Sequence, residues 1–209
     1  MPTPPQRAVY DRLAAHYDRA FAPLERRFLA RLRNETFRAL PRGSRLLEVG
    51  AGTGLNFPYY PSSSVGVATE PSREMICRAA LKALPTGVHL VQNNAEQLPF
   101  ADASFDAACA TLVFCSVRSP AAAFAELRRV VKPGGTIALL EHVRPPGLLG
   151  WLFDLLNICT VALLEDHFNR RTAEAARRAG LDMLRVERRA LGIINIIVCR
   201  NSTRSSPEP

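Results

Sequence analysis

Lysine is nearly missing from this chain: of 27 basic residues only Lys82 and Lys132 are lysines. Acidic residues number 19, and the formal net charge is +8. A surface of that sign suits nucleic acid, anionic lipid or an acidic substrate. The arginines are dispersed, with no long basic run, which argues against nucleic acid. A compositional bias accounts for them equally well. Paired cysteine spacing is absent as well. Cys77, Cys109, Cys115, Cys159 and Cys199 are scattered, which excludes a disulfide framework and zinc-type spacing and points to reduced thiols in a cytoplasmic protein. No metal site is expected. The opening MPTPPQRAVY has no apolar core of a secretory signal. No long uninterrupted apolar run occurs either. The richest stretch, 148–164, contains Asp154 and Asn157 and falls short of the about 20 apolar residues that a membrane span needs.

What remains is an ordinary globular balance. The 209 residues are 47% apolar and 22% charged, enough for one domain with one sizeable core. Val9 to Leu40 carries apolar residues at helical spacing and predicts two helices, ended by Pro41 and Gly43. Beyond it, strand-like runs alternate with helical ones. The strands are RLLEVGAG, SVGVATEPS, VHLVQNN, SFDAACATLV and TIALLEHV. Ser119 and Pro120 read as the N-cap and first residue of the helix that Lys132-Pro133-Gly134-Gly135 stops. This alternation predicts an α/β fold with a parallel sheet and helices on both faces. After the apolar stretch comes a helix closed by Gly180, then two strands joined around Leu191 and Gly192. The tail 201–209 reads as disordered.

Three glycines at alternate positions, Gly50, Gly52 and Gly54, follow the first strand. A strand running into a glycine turn and then a helix is a cofactor-binding elbow, because the backbone turns tightly and a ligand approaches without a Cβ in the way. The spacing is neither G-x-G-x-x-G nor a P-loop, so neither a dinucleotide nor a nucleoside triphosphate fits. Glu48, directly ahead of the turn, would repel a diphosphate and suit a cationic ligand. S-adenosylmethionine carries an ammonium and a sulfonium and no phosphate, and its carboxylate can meet turn N–H groups. Glu70, about 20 residues after Gly50 at the end of the next strand, can accept two ribose hydroxyls. Asn94 or Ala95 can meet the adenine edge after the third strand. Tyr17 in the N-terminal segment is the candidate lid contact.

LLEVGAGTG, VATEPSREM, NNAEQLPFADASFDAACATLVFCSV and ELRRVVKPGGTIALLEHV together resemble class I S-adenosylmethionine-dependent methyltransferases, of the methyltransferase type 11 group. The resemblance implies a Rossmann-like seven-stranded, mostly parallel sheet with a reversed last strand and an N-terminal helical lid. TLVFCSV with LLEHV is similar to small thiol methyltransferases; YDRLAAHYD looks like quinone-biosynthesis and phosphatidylethanolamine methyltransferases. Pro71 and Thr111 join Tyr17, Glu48, Gly50, Gly52, Gly54, Glu70, Asn94 and Ala95 as the expected cofactor set. Thr69 and Pro71 around Glu70, and Asn94 where relatives often carry aspartate, depart from the family pattern.

For a base or substrate contact the candidates are His142, at the carboxyl end of the fifth strand, and His167, with His16 and Glu141 behind them. Cys115 reads as small apolar filler. Asp106 reads as a holder of strand geometry. The expected organisation is one domain: a helical cap (1–42), a cofactor core (44–144), a substrate-side segment with the last strands (145–200) and the tail. Trp151, Phe153 and the rest of 148–164 form an acceptor-pocket wall, a membrane-surface helix or plain core. These observations predict methyl transfer to a small or lipid-like apolar acceptor, with a thiol first and a quinone precursor or phospholipid amine second, in a cytoplasmic protein that could touch membranes peripherally. A non-catalytic cofactor-binding module is the reading from another class.

Overall fold

The computed structural model describes residues 5–145, 147, 150, 151, 153, 154, 157, 167 and 169–202. Helix α1 (Pro5–Leu24) passes through a π-helical turn (Glu25–Leu29) into α2 (Ala30–Phe37). Leu24, Leu29 and Ala30 all keep right-handed helical dihedrals, so the segment is one long helical run and not the two separate helices that its periodicity predicts. Pro23 lies inside α1. It lacks an N–H and crowds the carbonyl four residues earlier, and the wider π turn follows directly after it.

The sheet strands are β1 (Arg45–Val49), β2 (Val65–Glu70), β3 (Val88–Gln92), β4 (Phe105–Thr111), β5 (Val131–His142), β6 (Leu181–Arg189) and β7 (Ile194–Asn201), in the order β3-β2-β1-β4-β5-β7-β6. β7 runs antiparallel to both neighbours and the other pairs are parallel. Helices α3 (Arg73–Ala80), α4 (Pro120–Val130) and α5 (Thr172–Arg178) complete the layers. The seven-stranded, mostly parallel sheet with a reversed last strand is thus as expected.

Two local expectations fail. No α-helix follows the glycine turn; a single 3-10 turn (Phe57–Tyr59) leads to β2. Pro58 and Pro61 withhold the N–H donors that a helix there would need. β5 also starts at Val131, directly after α4, with an irregularity in its pairing to β4 between Phe105 and Ala107 that absorbs the Pro-Gly-Gly stretch. The α4 start is as read: Ser119 accepts the N–H of Ala122 at its Oγ (3.2 Å) and Pro120 opens the helix.

Alternation along each strand divides the core. Leu47, Val49, Ala108, Ala110, Ile137 and Leu139 pack with Phe124 and Leu127 of α4 and Ala176 of α5. Leu46, Ala107, Cys109 and Ala138 face the other way, onto Phe37 and Leu40. Central strands apolar on both faces are what a covered parallel sheet requires. Asp106 sits at the opposite edge from the strand carboxyl ends. It accepts the backbone N–H of Arg45 (2.8 Å) and pairs with Lys132 (2.6 Å), tying together the starts of β1, β4 and β5.

Candidate functional site

A cavity of about 400 Å³ opens over the carboxyl ends of the first four strands, the edge where open α/β sheets bind ligands. The glycine turn forms part of its wall. Gly50 has φ +70°, and a Cβ there would stand 2.4 Å from Val113 Cγ2. Gly52 has φ +56° and nothing within 4 Å of a Cβ position, so its Cα face is open.

Glu70 ends β2 and lines the cavity. Its Oε2 accepts the N–H of Gly52 and its Oε1 the N–H of Ser72, both at 2.9 Å. Burial pushes its carboxyl up to about 7, opposed by the two backbone N–H donors. An ionised carboxylate has about four acceptor sites, so two remain for a ligand diol. Pro71, Asn94, Ala95 and Thr111 line the same space, as do Gly50, Gly52 and Tyr17. Asn93 lines it too, and its buried Oδ1 has no hydrogen-bond partner among the described residues. That leaves an amide acceptor for the exocyclic amine of a base.

Other expected members stand outside. Glu48 is fully buried and does not line the cavity. It shares the strand face of Leu46, which points to the α2 layer, and there it accepts Asn56 Nδ2 and Tyr60 Oη, each at 2.5 Å. Burial raises its pKa, against those hydrogen bonds and Arg33. Its effect on a bound cation is therefore indirect. Gly54 also lies off the cavity, with its Cβ position 2.4 Å from the Phe57 ring.

His142, at the end of β5, and His167 do not line the cavity. Burial lowers the His142 imidazole to about 4, which makes it neutral and a weak base at pH 7. The backbone N–H of His167 donates to the carbonyl of Cys115 (2.9 Å). Burial, then Arg170, lower its imidazole pKa. Glu141 is buried and accepts the N–H groups of Val113 (3.0 Å) and Phe114 (3.2 Å). It thereby holds the loop after β4, where Leu112 takes a left-handed φ of 59° at the cavity wall. Most of 148–164 lies outside the described residues. Within it, Trp151 is exposed, and Asp154 pairs with Arg144 (2.7 Å).

Sequence reading missed Arg33. It is 5% exposed and lines the cavity. Its Nη1 donates to Asn56 Oδ1 (2.8 Å) and Thr111 Oγ1 (2.6 Å), and its Nε donates to Glu25 (3.0 Å). The sequence shows it as one more arginine on a helix; its partners lie across the fold.

Helix α1 closes the cavity with Tyr10 and Tyr17, one helical face seven residues apart. Its two aspartates hold it down. Asp11 accepts Ser72 Oγ (2.6 Å), and Asp18 accepts Thr53 Oγ1 (2.5 Å) and pairs with Lys82 (2.7 Å).

Residues 47–139 match the family model described as a methyltransferase domain. The human thiol S-methyltransferase TMT1B is 36% identical over 107 residues, covering 48% of this chain and 43% of the relative. A phosphatidylethanolamine N-methyltransferase of Cereibacter sphaeroides is 35% identical over 105 residues, covering 48% and 52%. The chain thus spans about half the length of the curated relatives it matches. The crystal structure of an S-adenosylmethionine-dependent methyltransferase from Thermotoga maritima superposes with a TM-score of 0.71 at 22% identity, covering 93% of this chain and 99% of that one, a likeness of fold.

Proposed function

We propose that this chain is a class I S-adenosylmethionine-dependent methyltransferase, as its match to a methyltransferase-domain model and its similarity to a thiol S-methyltransferase support, and that it methylates a small or lipid-like apolar acceptor, with a thiol as the first candidate. The observation that carries the reading is Glu70, a buried carboxylate held by two backbone N–H groups beside an open glycine face. That donor and acceptor set fits an adenosyl ligand and offers no cradle for a diphosphate. S-adenosylmethionine bound there supplies an electrophilic sulfonium methyl. Glu70 takes the ribose hydroxyls, Asn93 and Asn94 meet the adenine edge, and the turn from Gly50 approaches the amino-acid end. Tyr10 and Tyr17 shut the cavity against water.

An in-line displacement needs the acceptor's lone pair aligned with the methyl carbon, and alignment alone contributes up to roughly 7–11 kcal/mol. A thiol supplies its own nucleophile on ionisation, so the reading requires no dedicated base, and neither His142 nor His167 is assigned one. The substrate side falls to 145–200, after a cap (1–42) and a cofactor core (44–144), with 148–164 as acceptor wall or membrane contact. The acceptor is a small molecule or a lipid and not a nucleic acid, in a cytoplasmic protein. A phospholipid amine is the second reading, favoured by the resemblance to a phosphatidylethanolamine N-methyltransferase.

The test is methyl transfer from radiolabelled S-adenosylmethionine into alkyl thiols, quinols, amines and phosphatidylethanolamine vesicles. Label in thiols supports the first reading, and label in the phospholipid supports the second. Cofactor binding without transfer to any class leaves a binding module and overturns the enzyme.

A further inference from the structure

We infer that the outer surface of α1 is a docking surface for an anionic lipid bilayer. The charges of the α1–π turn segment are sorted by side. All three of its acids that stand beyond the first turn point into the fold: Asp11 to Ser72, Asp18 to Thr53 and Lys82, Glu25 to Arg33. Four of its cations point out. Arg12, Arg19, Arg26 and Arg27 are exposed and form no ion pair among the described residues. Arg12, Arg19 and Arg26 recur every seven residues, along one side of the helix.

The same segment leaves large apolar side chains in water. Leu13 is 38% exposed, Phe21 38% and Leu24 48%. With Tyr17, which stacks on Phe21 at 4.6 Å between ring centroids, they follow a spacing of four, four and three residues, a single stripe. Three of the arginines, Arg12, Arg19 and Arg26, thus lie on one side of the helix and the apolar stripe on the other, the pattern of a helix lying in a membrane interface with its basic face toward the headgroups. A second copy of this chain fits less well, because pairing two chains of net charge +8 brings like charge together. An acidic protein lacks the apolar layer that would take up Phe21 and Leu24. No described helix is long and apolar enough to cross a membrane, so the contact is a surface one.

The stripe adjoins the cavity, since Tyr17 belongs to both. A bilayer seated on α1 brings its acyl region next to the cavity mouth, and an apolar acceptor would pass from lipid to site without crossing water. That consequence rests on the methyltransferase reading; the docking itself does not.

The experiment is vesicle co-flotation of the full chain, with no cofactor or acceptor present. Vesicles are phosphatidylcholine alone or phosphatidylcholine with phosphatidylglycerol, at low salt and at about 0.5 M salt, where screening shortens to a few ångströms. The expected result is partition onto the anionic vesicles, weakened by salt, and little onto phosphatidylcholine alone. Each arginine near an anionic surface contributes about fivefold, so R12E with R19E lowers partition at least tenfold. F21S with L24S lowers it at any salt. Unchanged circular dichroism and melting keep the variants interpretable, because none of the four side chains is buried. Absence of partition at low salt overturns the proposal, as does partition that both variants retain. Concentration-dependent self-association in sedimentation, abolished by F21S with L24S and without vesicle binding, assigns the stripe to a second copy instead. Flotation reads no methyl transfer, so a failed enzyme assay and a failed docking surface are told apart.

Discussion

Glu70 Oε2 accepts the backbone N–H of Gly52 at 2.9 Å, so the acid at the end of β2 shapes the turn at the end of β1. One side chain thereby links the two strand ends across which an adenosyl ligand would lie. Replacing Glu70 by alanine should weaken S-adenosylhomocysteine binding by about 1.5–3 kcal/mol, the range for hydrogen bonds to a charged group. Calorimetry with a circular dichroism control measures it. Unchanged affinity in a folded variant removes Glu70 from the ribose.

The same carboxyl sets a pH dependence. Its folded pKa is raised to about 7 from 4.5, so between those values the native state holds a proton that the unfolded chain has lost. Its contribution to stability therefore falls as pH rises from about 4.5 to about 7 and is flat above. Ligand hydroxyls favour the ionised form, so cofactor affinity should rise across pH 6–8, and Glu70→Gln should flatten that rise. A parent profile as flat as the variant's would refute it.

Much of this site was legible in the sequence. Residue type and spacing bring Gly50, Gly52 and Glu70 to one cavity, and Ser119 announces α4. Glu48 was misread, although strand parity held the signal: it shares the face of Leu46, and that face is covered by α2. The missing helix after the turn was marked by Pro58 and Pro61. Arg33 left no local signal, since its buried partners Asn56 and Thr111 lie 23 and 78 residues away. An arginine among outward arginines gains its meaning only when the sheet is built.

That network predicts a large stability effect. Arg33→Met would leave the Glu25 carboxylate without its partner and Asn56 and Thr111 without a donor. Losing one member of a buried pair costs about 3–5 kcal/mol. Urea unfolding should show a loss of unfolding free energy of that size, and Arg31→Met, on an exposed pair, a loss under about 1 kcal/mol. Equal losses would mean that Arg33 is not a keystone of the fold.

The glycines permit a test of conformation against space. Gly43 (φ +65°) and Gly50 (φ +70°) share the left-handed region, but a Cβ on Gly43 meets nothing within 4 Å and one on Gly50 meets Val113 at 2.4 Å. Gly43→Ala should therefore cost only the backbone preference, on the order of 1 kcal/mol. Gly50→Ala adds a clash that pushes Val113 and the loop held by Glu141. It should destabilise more and also weaken cofactor binding, because the displaced groups line the cavity. Thermal melts order the two variants, and calorimetry on S-adenosylhomocysteine separates the second effect. Shrinking the obstacle gives the decisive comparison: Val113→Ala in the Gly50→Ala background should recover part of the lost stability, and a double variant no more stable than the single one would place the damage in the backbone alone.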